Sequence, residues 1–504
     1  MSNHLFDAIR AAAAGDAPFI RINGGRTWIY NAALDLSGRI AGAIDTLGIR
    51  PGDRVAVQVE KSAEALILYL ACLRLGAVYL PLNTAYTLAE LDYFIGDAEP
   101  RLVVVSPAAR ESVRTIAEPY GAIVETLDAD GTGSLIDLAR DEPADFADAS
   151  RNADDLAAIL YTSGTTGRSK GAMLTHGNLL SNAMTLRDYW RVTAGDRLIH
   201  ALPLFHTHGL FVATNVTLLA GASMFLLPKF DPDEILSLMP EATLLMGVPT
   251  FYVRLLQSPR LDRQAVASMR LFISGSAPLL AETHVEFSKR TGHAILERYG
   301  MTETNMNTSN PYDGDRIAGT VGFPLPGVTV RVTDPATGLA LPPEETGMIE
   351  IKGPNVFKGY WRMPEKTAAE FTADGFFISG DLGKIDRGGY VHIVGRGKDL
   401  VISGGYNIYP KEVEGEIDQL DGVAESAVIG VPHPDFGEGV TAIVVCKPEA
   451  ALDESAILGA LKDRLARYKQ PKRIIFADDL PRNTMGKVQK NVLRQQYADL
   501  YVRT

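Results

Sequence analysis

Short apolar runs alternating with helix-patterned stretches constrain this chain more than any other feature. Val55-Ala56-Val57 and Leu102-Val103-Val104-Val105 read as buried strands. Between them, Leu66, Tyr69, Leu70 and Leu73 recur at i, i+3, i+4 and i+7, which predicts an amphipathic helix ended by Gly76. Strands alternating with helices point to an α/β fold with a parallel sheet. The alternation resumes later, with a helix expected near 178–190 and strands over 198–202, 223–227, 243–246 and 271–274. At 504 residues, two or more domains are expected. From about 315 to 395 the pattern changes to short alternating strands, with Asp386-Arg-Gly-Gly as a hairpin turn, so a small β subdomain is expected. After Gly395-Arg-Gly-Lys-Asp a compact α/β pattern follows: a helix from Pro410 to about 420, strands near 424–429 and 441–445, a helix near 455–467 and a strand over 473–476. The acidic stretch 125–155 reads as a surface excursion. The fold class is therefore α/β: a large N-terminal domain of doubly wound subdomains with a small β subdomain, then a small C-terminal α/β domain.

Charge and cysteine usage exclude several function classes. A net charge of −12 without a basic run argues against nucleic acid. Cys72 and Cys446 are too few for a disulfide scaffold or a zinc site, so a reducing, cytoplasmic setting is expected. The N-terminus lacks the long apolar core of a signal peptide. The most apolar segment, 65–82, is broken by Arg74, Gly76 and Pro81, so no membrane span is expected.

Residues 161–171, Tyr-Thr-Ser-Gly-Thr-Thr-Gly-Arg-Ser-Lys-Gly, carry the strongest chemical signal. Glycines let backbone N–H groups approach closely, hydroxyls donate to phosphate oxygens, and Lys170 adds a compact positive charge. Gly164 and Gly167 are too close for the P-loop NTPase pattern, and Lys170 precedes Gly171, so this is a phosphate loop of another kind. Four further segments draw attention: Ser274-Gly-Ser-Ala-Pro278, Tyr299-Gly-Met-Thr-Glu303, Ser379-Gly-Asp-Leu-Gly383 and Pro481-Arg-Asn-Thr-Met-Gly-Lys487. Glu303 suits Mg²⁺, which takes few carboxylates plus phosphate oxygens. Asp381, read as an acid in a glycine-flanked turn, suits a pair of ribose hydroxyls. Taken singly, each segment is also compatible with an ordinary turn or a solvated lysine.

In order and approximate spacing, these segments resemble the acyl-adenylate-forming superfamily of acyl-CoA synthetases, luciferases and peptide-synthetase adenylation domains, over nearly the whole chain. The resemblance implies two half-reactions. A carboxylate attacks the α-phosphorus of ATP, giving an acyl-adenylate and pyrophosphate; the thiol of coenzyme A then displaces AMP. It further implies that Thr162, Ser163, Gly164, Thr165, Thr166, Gly167 and Lys170 hold the β- and γ-phosphates, while Thr302 contacts the α-phosphate. Glu303 would organise Mg²⁺; Gly275, Ser276, Ala277 and Tyr299 would border adenosine; Asp381 and Arg396 would hold the ribose. Lys487 would bridge the acid and the α-phosphate. The division implied is 1–395, a hinge at 396–398 centred on Lys398, and a mobile domain 399–504 whose Gly404, Gly405 and Tyr406 face the site during thioester formation.

The acid is read from basic residues near the expected acyl pocket. Arg298 precedes the Tyr-Gly-Met-Thr-Glu motif, and Arg254 lies on a segment that lines the pocket in the family. Two guanidiniums suit a second carboxylate, which Arg binds in a planar fork. His206 would add a polar wall, with Thr207 and Met306 shaping space at the α-carbon. The Glu-Arg-Tyr-Gly-Met-Thr-Glu-Thr string is similar to that of malonyl-CoA synthetases, which implies malonate, with methylmalonate tolerated. The alternative is an acyl-CoA synthetase for another short or medium acid. An enzyme that loads a carrier protein and a non-catalytic nucleotide sensor are the further rivals. The Lys487 loop also resembles sites modified by protein lysine acetyltransferases and reversed by deacetylases.

Overall fold

The computed structural model describes residues 2–22, 24–162, 169–403, 406–450, 452–462, 464–483 and 486–501, the side chain of Asn407 excepted. The first expected parallel sheet is present. Val78–Pro81, Arg54–Gln58, Leu102–Val105 and Ile123–Thr126 pair in parallel. Leu156–Thr162 joins Val78–Pro81 in parallel, then pairs antiparallel with Lys170–Thr175, which in turn pairs with Gly359–Tyr360. Lys170 is thus the first residue of a strand rather than a loop residue.

A second sheet runs in the order Phe323–Pro324, Asn305–Ser309, Leu296–Met301, Leu271–Ser274, Leu244–Gly247, Arg197–His200, Ser223–Leu226, Pro18–Arg21, Thr27–Ile29. Its parallel centre matches the expectation. Its edges are antiparallel, and the N-terminal hairpin at Thr27–Ile29 was not expected. The helix Ala63–Leu75 is capped by the Ser62 side chain and ended by left-handed Gly76. It is not amphipathic in place: every residue except Glu64 is buried. Tyr69 meets Phe211 at 5.9 Å and bonds Asn215, so the helix is packed between the two sheet systems rather than on a surface. The stretch 125–155 is also more than surface, since Leu135 and Ala139 of helix Ser134–Ala139 are buried.

The β subdomain is an antiparallel sheet of Thr329–Thr333, Gly347–Lys352, Phe377–Ile385 and Val391–Arg396. The C-terminal domain has its own core, including Val401, Ile408, Val413, Ile417, Val428, Val440 and Ile457. Its helix Pro410–Asp418 and strands Val423–His433, Gly437–Cys446 and Arg473–Phe476 follow the expected order. Helix Glu454–Leu461 ends six residues before the expected 467. Both cysteines are free. Among the described residues, no helix is long and apolar enough to cross a membrane.

Candidate active site

The site assembles where the second sheet, the β subdomain and the C-terminal domain meet. Strand Leu296–Met301 carries Arg298 and Tyr299, then turns through Thr302 and Glu303 into Asn305–Ser309. Gly300 is required at this turn, because a Cβ there would lie 2.0 Å from the Asn305 carbonyl oxygen and 2.5 Å from the Met306 methyl.

Asp381 was expected in a glycine-flanked turn. It lies instead within strand Phe377–Ile385, beside a register shift and opposite Arg396. Its carboxylate takes the Arg396 Nε at 2.7 Å and the Tyr299 hydroxyl at 2.5 Å. The Asp381 charge in turn raises the Arg396 guanidinium above its ordinary value. The residues expected at the ribose thus form one cluster with Tyr299.

Glu303 is buried, and burial raises its carboxyl above the usual range. The Tyr360 hydroxyl lies 3.0 Å from Glu303 Oε1 and 2.6 Å from Glu370 Oε2. One hydroxyl has one proton for two carboxylates. A cation at Glu303 would offset the burial that disfavours its charged form. The described residues contain no group of three or more His, Cys, Asp or Glu that would hold a metal alone. One carboxylate beside a phosphate site therefore fits Mg²⁺ completed by nucleotide oxygens. Half-buried Thr302 adjoins Glu303, and Thr162 ends its strand with its hydroxyl 3.4 Å from the Lys170 carbonyl. Ser163, Gly164, Thr165, Thr166 and Gly167 lie outside the described residues, as do Gly404 and Gly405.

Arg298 is 3% exposed, and its Nε and one terminal nitrogen have no hydrogen-bond partner among the described residues. Burial lowers the guanidinium well below its ordinary value, to about 9. Gly275 makes room for it, since a Cβ there would lie 2.5 Å from the guanidinium carbon. Ser276 adopts left-handed backbone at φ 72° and places its hydroxyl 3.2 Å from His208 Nδ1. Ala277 follows, half-buried. The Nε2 atoms of His206 and His208 and the Thr207 hydroxyl are also buried without partners among the described residues. Burial and the nearby Lys487 charge hold His206 neutral down to about 4. Burial, reinforced by the Arg298 charge, depresses His208 further. His208 was not singled out from the sequence. It begins a π-helical stretch, His208–Thr214, of a kind frequent at functional sites. Buried polar atoms normally find partners. A run of orphaned polar atoms on adjoining residues marks a surface shaped for a polar ligand. Met306 is buried and packs at Gly300.

Arg254 does not join this cluster. On helix Pro249–Gln257, Phe251, Tyr252 and Leu255 face inward while Val253 and Arg254 are exposed. The Arg254 guanidinium lies 5.9 Å from the Phe230 ring. Of the two expected pocket guanidiniums, the structure buries Arg298 in this cluster and leaves Arg254 exposed beside Phe230.

Lys487 reaches this centre from the C-terminal domain. The neighbouring Gly486 is left-handed, and a Cβ there would lie 3.4 Å from the Thr250 side chain. Lys487 is exposed, although protein atoms crowd around it. Desolvation by those neighbours, then the Arg396 charge, lower its ammonium to about 8, with Asp381 and Glu303 opposing. Tyr406, in contrast, is 56% exposed and stacks on Tyr468 at 4.6 Å. Lys398 sits in the short 3₁₀ turn Gly397–Asp399 between the β subdomain and the C-terminal domain. Burial lowers its ammonium below the ordinary value.

The chain belongs to the AMP-binding enzyme family: the model of that description matches residues 8–361, and the AMP-binding enzyme C-terminal domain matches residues 412–487. Among solved structures, ATP-bound MatB from Rhodopseudomonas palustris is 64% identical, covering 99% of this chain and 100% of that chain, at a TM-score of 0.98. Apo MatB from the same organism has the same identity and coverage but a TM-score of 0.87. The present arrangement is thus closer to the ATP-bound form than to that apo form. Among curated relatives, feruloyl-CoA synthase from an Amycolatopsis species is 38% identical over 97% of this chain and 98% of its own length. Malonate–CoA ligase from Arabidopsis thaliana is 36% identical over 89% of this chain and 78% of its own length.

Proposed function

We propose that the chain is an ATP-dependent malonate–CoA ligase, forming malonyl-CoA, AMP and pyrophosphate through a malonyl-adenylate. The observation that carries this reading is Arg298, a buried guanidinium with unpartnered donors beside Ser276 and His208. A fatty or aryl tail would leave that charge desolvated and unpaired, whereas a second carboxylate pairs with it. The activity named for the Arabidopsis relative and the likeness to MatB support it. Methylmalonate is accepted more weakly, with Thr207 and Met306 bounding the α-carbon.

The first half-reaction joins two anions, so its chemistry is positioning and charge neutralisation. Lys487 neutralises the reacting carboxylate and the α-phosphate together. Thr302 orients the α-phosphate, and Lys170, with the 162–167 residues, holds the β- and γ-phosphates. Gly275, Ser276, Ala277 and Tyr299 border the adenosine, and Asp381 with Arg396 takes the ribose. His206 stays neutral as a polar wall. Glu303, with nucleotide oxygens, would hold Mg²⁺, which would supply further neutralisation of the triphosphate.

The second half-reaction follows rotation of 399–504 on the 396–398 hinge against the domain 1–395. That rotation withdraws Lys487 and brings Gly404, Gly405 and Tyr406 toward the site for coenzyme A. The exposure of Tyr406 in the present arrangement supports this. Lys487 is open to solvent, which suits control by a protein lysine acetyltransferase and deacetylase. The setting proposed is the cytoplasm. The test is acid-dependent ATP–pyrophosphate exchange with malonate, methylmalonate, acetate and ferulate. Malonate is expected to give the highest kcat/KM; acetate or ferulate equalling it would overturn the assignment.

A further inference from the structure

Lys170 is already engaged, and the engagement has a defined geometry. Its ammonium lies 3.1 Å from Glu370 Oε1 and 4.1 Å from the centre of the Tyr360 ring. The ring is fixed by strand register, because Tyr360 pairs with Ala172, two residues from Lys170 on the same face. The carboxylate is fixed independently of Lys170. Lys366 reaches Glu370 Oε1 at 2.8 Å across one helical turn, and the Tyr360 hydroxyl donates to Oε2 at 2.6 Å. A preset acceptor and a preset ring therefore define where a flexible lysine tip sits.

We propose that Glu370 is a positioning residue for the nucleotide's terminal phosphates, acting through Lys170; this rests on the reading that Lys170 meets the β- and γ-phosphates. An ammonium has three N–H donors. Glu370 takes one and the Tyr360 face fills a second direction, which leaves a donor to aim at phosphate. Without Glu370, the four-carbon stem regains rotamer freedom that ATP binding must then remove. Both partners of the pair are largely shielded, at 22% and 20% exposed, so removing one also carries a stability cost, which the thermal midpoint reads separately from nucleotide positioning.

The experiment compares Glu370→Ala, Glu370→Gln, Lys170→Ala and the Lys170→Ala/Glu370→Ala double variant. Readouts are the KM for ATP and for malonate in pyrophosphate exchange, thioester formation from supplied malonyl-adenylate, and the thermal midpoint. Glu370→Ala is expected to raise the ATP KM about tenfold, from the ordering that Lys170 loses. The malonate KM and the thioester step are expected to stay within error, whatever the shift in midpoint. Glu370→Gln, which keeps an acceptor oxygen, is expected to recover part of the loss. The double variant is expected to match Lys170→Ala, because Glu370 acts only through that lysine. If Lys170→Ala raises the ATP KM while Glu370→Ala leaves it within twofold, the positioning role is overturned. Additive losses in the double variant, or an equal decline of both half-reactions in Glu370→Ala, overturn it as well. If Lys170→Ala itself leaves the ATP KM unchanged, the phosphate reading beneath the proposal fails instead.

Discussion

Replacing Arg298 by Met separates recognition from folding. Burial that lowers this guanidinium to about 9 corresponds to on the order of 5 kcal/mol for holding it charged at neutral pH in the free enzyme. Its folded value lies below its unfolded one, so the penalty is present throughout the neutral range and fades only as pH rises past about 9. The enzyme thus carries an unpaired cation that a distal carboxylate would complete. Breaking a buried, hydrogen-bonded charge pair costs about 2–5 kcal/mol, or roughly 30-fold to a few thousand-fold in kcat/KM for malonate. The assay is pyrophosphate exchange with malonate and acetate at saturating ATP, beside thermal unfolding without ligand. Arg298→Met is expected to lose malonate activity by that factor, to keep its ATP KM, and to improve acetate relative to malonate. Its unfolding midpoint is expected to hold or rise, because an uncompensated buried charge has been removed. A parallel rise in both KM values, an equal loss for acetate, or a midpoint several degrees lower would refute the reasoning and make Arg298 structural.

Three further outcomes are expected. Lys487 is cationic below about 8, so malonate-dependent pyrophosphate exchange should fall as pH rises through that value; Lys487→Ala should cripple exchange, spare thioester formation from supplied adenylate, and lack that alkaline limb in its residual rate. Lys398→Pro should preserve exchange and slow the thioester step, since in the proposed mechanism only the latter needs the hinge to turn; an equal slowing of both would count against the hinge. Gly275→Ala should raise the malonate KM at least about tenfold, because its Cβ would fall 2.5 Å from the Arg298 guanidinium carbon; an unchanged KM would show that this guanidinium does not contact substrate.

What could be read from the sequence was what local pattern encodes. The strands around residues 55 and 102 and the Gly76 helix stop follow from apolar spacing and left-handed glycine, and the structure has them. Facing was less legible. The helix Ala63–Leu75 shows apolar periodicity but is enclosed on nearly every side, which only its neighbours determine. Arg254 and Tyr252 sit two positions apart, yet one is exposed and the other buried; helix orientation against the sheet decided that. Asp381 looked like a turn residue because glycines flank it, but pairing with the strand Val391–Arg396 overrode local preference. His208 was written in the same short string as His206 and Thr207; its orphaned nitrogen became visible only once the π-helical stretch and Ser276 were in place. Glu370 belongs to no spacing pattern, and only the tertiary fold brings it to Lys170, 200 residues away.

The most direct test is a crystal structure of the protein with malonate and a non-hydrolysable ATP analogue. The account predicts the distal carboxylate at about 3 Å from the Arg298 guanidinium, with Lys487 between the other carboxylate and the α-phosphate. A malonate bound with no contact to Arg298, or a triphosphate lying away from Lys170, would contradict it.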